Sequence, residues 1–222
     1  MAAVRTIFWD LGGVLLTNGW DTDQRARVLT SLGVDIADYE LRHEAANFFW
    51  ERGLSTAEEF FRKTVFSASQ PSRDFSYDEL WSLVCAESKV LYPECIDILG
   101  KLYDSKQYAI ATLNNESREL NAHRLDAFRL RPYFDFFICS GYVHEMKPHP
   151  DIYRSALEIS GVLPEQTLFI DDKQENCDVA VSLGMQAIQF LSPSQLVADF
   201  ARLDIEAADR VETQATPALS TS

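Results

Sequence analysis

The sequence predicts an α/β protein: a doubly wound sheet of five parallel strands with a small helical domain inserted after the first strand. Three observations carry that reading. Five short runs read as strands, and several are apolar almost continuously rather than alternately, as strands covered on both faces are. Helical patterns separate consecutive runs, and strand–helix alternation builds a parallel sheet. The exception is the stretch between the first two runs, ~100 residues long where a simple crossover unit needs ~30.

The first strand is Val4–Trp9. The insert follows, from about residue 18 to 90, with four helical segments. One runs from Asp21 to Leu32 and stops at Gly33; the next runs from Asp38 to Arg52 and stops at Gly53. Ser55 or Thr56 opens a third, with Glu58 or Glu59 at capping-box spacing, and Ser76 with Glu79 repeats that box before Leu80, Leu83 and Val84. Pro93 opens a helix through Cys95, Ile98, Leu99 and Leu102. The strand Tyr108–Leu113 precedes a helix capped by Ser117 that runs through Leu120, Leu125 and Phe128. After the strand Phe136–Cys139, Pro150 and Asp151 open a helix through Ile152, Ala156, Leu157 and Ile159 that closes at Gly161. Thr167–Ile170 is the fourth strand, Asp172 opens a helix ending at Gly184, and Gln186–Phe190 completes the sheet. Residues 1–17 and 91–204 therefore form the core and 18–90 the insert. The small, polar segment 205–222 is expected to be disordered.

Of 222 residues, 34 are acidic and 20 are Lys or Arg, a net charge of −14. No Lys/Arg cluster reverses that field locally, so nucleic acid and anionic membrane surfaces are not expected partners. No apolar run approaches the ~18–20 residues that span a bilayer, and the first residues lead into a strand without a secretory leader pattern. Cys85, Cys95, Cys139 and Cys177 have no metal or redox spacing. They are expected to be reduced thiols in a cytoplasmic protein, monomeric or homodimeric.

Open parallel sheets bind ligands beyond the carboxyl ends of their strands, near the point where strand order reverses. The first strand ends in Asp10-Leu11-Gly12-Gly13, the second in Asn114-Asn115 and the fourth in Asp171-Asp172, while Lys147-Pro148 follows the third. Each has a plain reading by itself. Asp10 suits a turn, Asp171 and Asp172 a helix start, Asn114 and Asn115 Asx-turns, and Lys147 a solvated surface. Together they set three carboxylates at one edge, where each raises the pKa of the others unless a cation sits among them. Mg²⁺ is the ordinary hard cation for oxygen ligands.

In order along the chain, these segments resemble the four motifs of the haloacid dehalogenase superfamily, in its phosphatase branch. An apolar strand ends in Asp10 with Gly13 three residues later, and Asn114-Asn115 stand where the family has Ser/Thr-Asn. Lys147-Pro148-His149-Pro150-Asp151-Ile152-Tyr153 is similar to the third motif, and Phe169-Ile170-Asp171-Asp172 with Asn176 and Leu183-Gly184-Met185 to the fourth. The resemblance implies a Rossmann-like core, a helical cap, and Mg²⁺-dependent hydrolysis of a small phosphorylated metabolite such as a sugar phosphate. It makes Asp10 the nucleophile of an aspartyl-phosphate mechanism. It assigns Mg²⁺ to Asp10, the Gly12 carbonyl and Asp172, with Asp171 on a metal-bound water, and the phosphoryl oxygens to Lys147, Asn114 and Asn115.

Gly12 departs from the pattern. Many phosphatases of the superfamily carry an aspartate there as general acid and base, assistance worth ~10²–10⁴-fold. Leaving groups that need little protonation, such as an anomeric sugar hydroxyl or an acyl phosphate, suffer least. Sugar-1-phosphate phosphatases with the same Asp-Leu-Gly, and the phosphatase domain of soluble epoxide hydrolases, are the nearest likenesses. Two other readings stay open: a catalytically weak binding or regulatory protein on this fold, and a 2-haloacid dehalogenase, against which the paired Asp171 and Asp172 argue. Substrate choice is expected from the cap, with Asn18, Trp20, His43, Asn47, Phe49 and Trp50 as candidates. His43 could donate the proton that Gly12 cannot. Phe48, Phe49 and Trp50, with Phe60 and Phe61, read first as the core of the helical module.

Overall fold

The computed structural model describes residues 2–67 and 74–206. Five strands, β1 (Thr6–Trp9), β2 (Ala109–Asn114), β3 (Phe136–Cys139), β4 (Thr167–Asp171) and β5 (Gln186–Gln189), form one parallel sheet in the order β3-β2-β1-β4-β5. β1 is central. The chain winds from it through β2 to β3, then crosses back to lay β4 on its other side, so strand order reverses between β1 and β4. Both faces of the sheet are covered, which explains the unbroken apolar runs. Phe8 packs with Ala111, Leu113, Ile138 and Phe169 on one face; Ile7 and Trp9 pack with Leu99, Leu168, Ile170 and Phe200 on the other.

Among the described residues the insert has four helices, α1 (Thr22–Ser31), α2 (Ile36–Trp50), α3 (Ala57–Thr64) and α4 (Tyr77–Ala86). Capping boxes at Asp21/Gln24, Thr56/Glu59 and Ser76/Glu79 start three of them. The insert buries a cluster of its own around Trp20, Tyr39, Trp50, Phe60, Phe61 and Leu80. Only one member of the Phe48-Phe49-Trp50 run joins it. Trp50 stacks on Phe60 with ring centroids 4.3 Å apart, whereas Phe48 and Phe49 are 51% and 47% exposed, because a helix face one residue wide cannot turn three consecutive side chains inward.

The core helices are α5 (Pro93–Ser105), α6 (Arg118–Ala127), α7 (Ser140–Val143), α8 (Pro150–Ser160), α9 (Gln174–Ser182) and α10 (Pro193–Arg202). α9 starts two residues later than the sequence suggests, because the Lys173 N–H is taken by the Asp171 carboxylate at 2.8 Å. α10 has signals the sequence reading passed over: Ser192 caps it and Pro193 occupies its first turn. Its Phe200 meets Trp9 edge to face. Ile205 is buried beside Phe200 and donates its N–H to the Phe200 carbonyl, so the packed chain extends past the expected boundary at 204. The rest of the expected tail lies outside the described residues, except Glu206. Among the described residues no helix is long and apolar enough to cross a membrane.

Candidate active site

Parallel pairing sets Trp9 opposite Ile170, and the Asp10 N–H continues the ladder to the Ile170 carbonyl at 2.9 Å. The residues that end β1 and β4, Asp10 and Asp171, therefore stand side by side at the point of reversed strand order. Between them lies Lys147, 4% exposed, its Nζ 2.5 Å from Asp171 Oδ2 and 3.1 Å from Asp10 Oδ1. Asp10 Oδ1 also accepts the Leu11 N–H at 2.9 Å. The lysine is delivered by a clamped backbone. Asn115 Nδ2 donates to the Lys147 carbonyl at 2.7 Å, the Lys147 N–H returns to Asn115 Oδ1 at 2.8 Å, and the Lys147-Pro148 peptide is cis.

Asp171 is wholly buried and both its oxygens are engaged. Oδ1 accepts from the Lys173 N–H and from Asn176 Nδ2, and Oδ2 from Lys147 and Asn176. Asp172 is the opposite case: its Oδ1 is buried with no hydrogen-bond partner among the described residues. Gly13, at φ +73°, makes room for it, since a Cβ at position 13 would overlap the Asp172 carboxylate. Carboxylate oxygens of Asp10, Asp171 and Asp172 lie within 4.8 Å of one another. Burial, the largest influence, pushes Asp10 up to about 7 against the pull of Lys147, with Asp171 and Asp172 adding to the rise. Burial and the neighbouring Asp171 also raise Asp172. Burial works against the Lys147 charge, but Asp10 and Asp171 outweigh it and hold the ammonium above the usual lysine range. Three carboxylates and one ammonium sum to −2 when ionised, and an orphaned acceptor beside them fits one hard divalent cation.

Asp10, Lys147, Asp171 and Asp172 thus lie together in the structure. Asp171, expected on a metal-bound water, accepts from Lys147, the Lys173 N–H and Asn176. Asn115 turns both amide atoms to the Lys147 backbone, which leaves one N–H and one lone pair. Asn114 Nδ2, expected to face a phosphoryl oxygen, donates to Asn121 Oδ1 at 3.0 Å, while its own Oδ1 is buried without a partner among the described residues. His43 is not at the site. It packs in the insert between the Tyr39 and Phe60 rings, and burial, with the Arg25 charge, lowers it to about 4, so it is neutral and donates no proton there. Trp50 and Trp20 belong to the same interior, where Trp20 Nε1 donates to the Tyr39 hydroxyl at 2.8 Å.

The insert docks on the same sheet edge through residues that sequence reasoning passed over. Ser140 Oγ, just after β3, donates to the Glu51 carbonyl at 2.6 Å, and His144 Nδ1 lies 2.6 Å from the Arg52 carbonyl. Gly53 presses against the Gly141 backbone too closely to admit a side chain. The Glu51 carboxyl is held at this junction and raised by burial, with Lys173 among the charges that oppose the rise. Below the linker, Arg124 pairs with Glu116 at 2.6 Å and donates to the Thr17 carbonyl.

Known proteins are similar to this chain in sequence and in fold. The phosphoglycolate phosphatase of Shigella boydii is 30% identical over 112 residues, 50% of this chain and 44% of that protein. Flavin mononucleotide hydrolase 1 of Arabidopsis thaliana is 26% identical over 166 residues, 75% of this chain and 65% of the relative. The chain thus spans about half the length of the first of these relatives. A haloacid-dehalogenase-family enzyme of Bacteroides thetaiotaomicron, solved with magnesium and inorganic phosphate, has the same fold at 22% identity, with a TM-score of 0.73 over 87% of this chain and 99% of that one. A family model matches residues 4–184, a span that takes in β1, the whole insert and every carboxylate of the site; the chain belongs to the haloacid dehalogenase-like hydrolases.

Proposed function

We propose that the protein is a Mg²⁺-dependent phosphatase of a small phosphorylated metabolite, working through an aspartyl-phosphate on Asp10. The observation that carries this is the buried −2 cluster: Lys147 neutralises one of three carboxylates, and Asp172 Oδ1 lacks a partner among the described residues. The Shigella relative is named a phosphoglycolate phosphatase and the Arabidopsis relative a flavin mononucleotide hydrolase, and the Bacteroides structure was solved with magnesium and phosphate.

Asp10, Asp172 and the Gly12 carbonyl would hold Mg²⁺, which supplies charge neutralisation at the phosphoryl group. The Leu11 N–H and Lys147 both fall on Asp10 Oδ1 and hold the carboxylate in one orientation for attack on phosphorus. Lys147 stays protonated between two carboxylates and offers its charge to the transferred group. Asp171 and Asn115 keep that ammonium in place. The insert acts as the cap, seated over the strand ends through Glu51, Arg52 and Gly53, and excludes water from the site. A dehalogenase reading is disfavoured because the buried cluster would stay at −2 without a metal. Four free cysteines, three of them buried, support a cytoplasmic setting.

The test is phosphate release from acetyl phosphate and p-nitrophenyl phosphate with Mg²⁺. Release that Asp10→Asn abolishes and a chelator stops supports the reading. Release no greater than from Asp10→Asn leaves a binding or regulatory protein, and release that survives complete metal removal contradicts the role of Asp172.

A further inference from the structure

The loop after the nucleophile lacks a side chain at Gly12, yet the space that side chain would use is filled. A Cβ built on Gly12 would stand 2.9 Å from Asn18 Oδ1 and 3.5 Å from Asn18 Cα. The backbone around Asn18 is pinned on both sides. The Thr17 N–H donates to the Lys89 carbonyl at 2.9 Å, the Thr17 carbonyl accepts from Arg124, and the Asn18 carbonyl accepts from Gln24 Nε2 at 2.6 Å. Its carboxamide makes no hydrogen bond among the described residues and is open to solvent. A polar group on an immobilised backbone, unpartnered and aimed at the loop that carries the nucleophile, is placed to receive a ligand.

We propose that Asn18 stands in for the missing side chain at position 12. With its amide turned so that Nδ2 stands where Oδ1 lies, it donates to the bridging oxygen as the Asp10 carboxylate bonds to phosphorus and the bond from phosphorus to that oxygen breaks. Oδ1 then accepts from the water that hydrolyses the phospho-enzyme, whose proton leaves on the released phosphate. This rests on the phosphatase reading and deepens it, because it selects a substrate class. An amide can donate a hydrogen bond but cannot hand over its proton, so the leaving oxygen departs as the anion. Phosphates of weakly basic leaving groups are therefore preferred: acyl phosphates, aryl phosphates and sugar phosphates esterified at the anomeric oxygen, ahead of simple alkyl esters.

The experiment measures kcat/KM with Mg²⁺ for a series of aryl, acyl and alkyl phosphates that span leaving-group basicity. The wild type is expected to fall steeply as the leaving group becomes more basic. Asn18→Ala should lose about tenfold or more across the series, the scale of one lost transition-state donor. Asn18→Asp, which supplies a carboxyl able to transfer a proton, should flatten the slope by raising alkyl esters relative to aryl esters. A wild-type rate unchanged in Asn18→Ala, or a slope unchanged in Asn18→Asp, overturns the proposal while leaving the phosphatase reading intact. No Mg²⁺-dependent release from any member by the wild type overturns both. The contact itself is read without activity: Gly12→Ala should lower the unfolding midpoint in the native background and not beside Asn18→Gly, and additive effects would refute it.

Discussion

Asn115 grips Lys147 by both sides of its backbone, at 2.7 Å and 2.8 Å, and so decides where the ammonium between Asp10 and Asp171 can stand. A lysine on a free loop would spread its charge over many rotamers; here the chain is fixed before the side chain begins. Asn115→Ala is expected to lower kcat about 10–100-fold, the range for a misplaced catalytic group, with Mg²⁺ affinity changed little. Steady-state kinetics and calorimetric Mg²⁺ titration check it. Weakened metal binding with kcat retained would place Asn115 in the metal site instead.

Gly13 and Asp172 make a second pair whose geometry fixes a phenotype. With φ at +73° and the Asp172 carboxylate where a Cβ would go, Gly13→Ala must both strain the backbone and push the carboxylate aside. The expected outcome is a folded protein whose Mg²⁺ affinity falls tenfold or more, by order of magnitude. Binding isotherms on the wild type and variant, with circular dichroism to verify the fold, measure this. Undiminished Mg²⁺ binding would remove Asp172 from the ligand set.

Much of this arrangement was legible in the chain because it depends on local order. Unbroken apolar runs marked the buried strands, Ser76 with Glu79 marked a helix start, and the residues following β1, β2 and β4 had to meet once the sheet formed. What was illegible depends on partners distant in sequence. Nothing near Asn115 indicates that its amide closes on the Lys147 backbone, 32 residues away. Asp171 and Asp172 look alike in sequence, but the first is saturated by Lys147, Lys173 and Asn176 and the second is not. His43 invites a catalytic role as a letter, and only the packing of Tyr39 and Phe60 around it withdraws that role.

Asp10 gives a pH signature to the metal-free protein. Its carboxyl rises from 3.8 to about 7 on folding, so the folded state holds the proton over a window in which the unfolded chain has released it. Stability from this group is therefore lost as pH rises from about 4 to 7, by a few kcal/mol at most. His43, lowered from 6.5 to about 4, slopes the other way, which makes the wild type alone ambiguous. The difference between wild type and Asp10→Asn isolates the carboxyl. In EDTA, urea unfolding should show wild type losing stability relative to Asp10→Asn as pH rises through that window. A flat difference would mean that Asp10 titrates normally.

The linker between core and insert is anchored by a buried ion pair rather than by apolar packing. Arg124 and Glu116 are 2% and 5% exposed, their charges meet at 2.6 Å, and the same guanidinium reaches the Thr17 carbonyl at the start of the linker. Gly19 lies against this pair with no room for a side chain. Removing one partner of a buried pair is costly, about 3–5 kcal/mol, because the other charge is left desolvated. Arg124→Met should show that loss, and most of it should return in the double variant Arg124→Met/Glu116→Gln, which leaves no charge. Burial already raises the Glu116 carboxyl, and loss of Arg124 removes the main force opposing that rise. The folded single variant then holds a proton that the unfolded chain releases, so its deficit should grow as pH rises above the ordinary carboxylate range. Urea unfolding of both variants at several pH values decides the matter. A pH-independent deficit, or no recovery in the double variant, would mean that Arg124 acts through the Thr17 carbonyl alone.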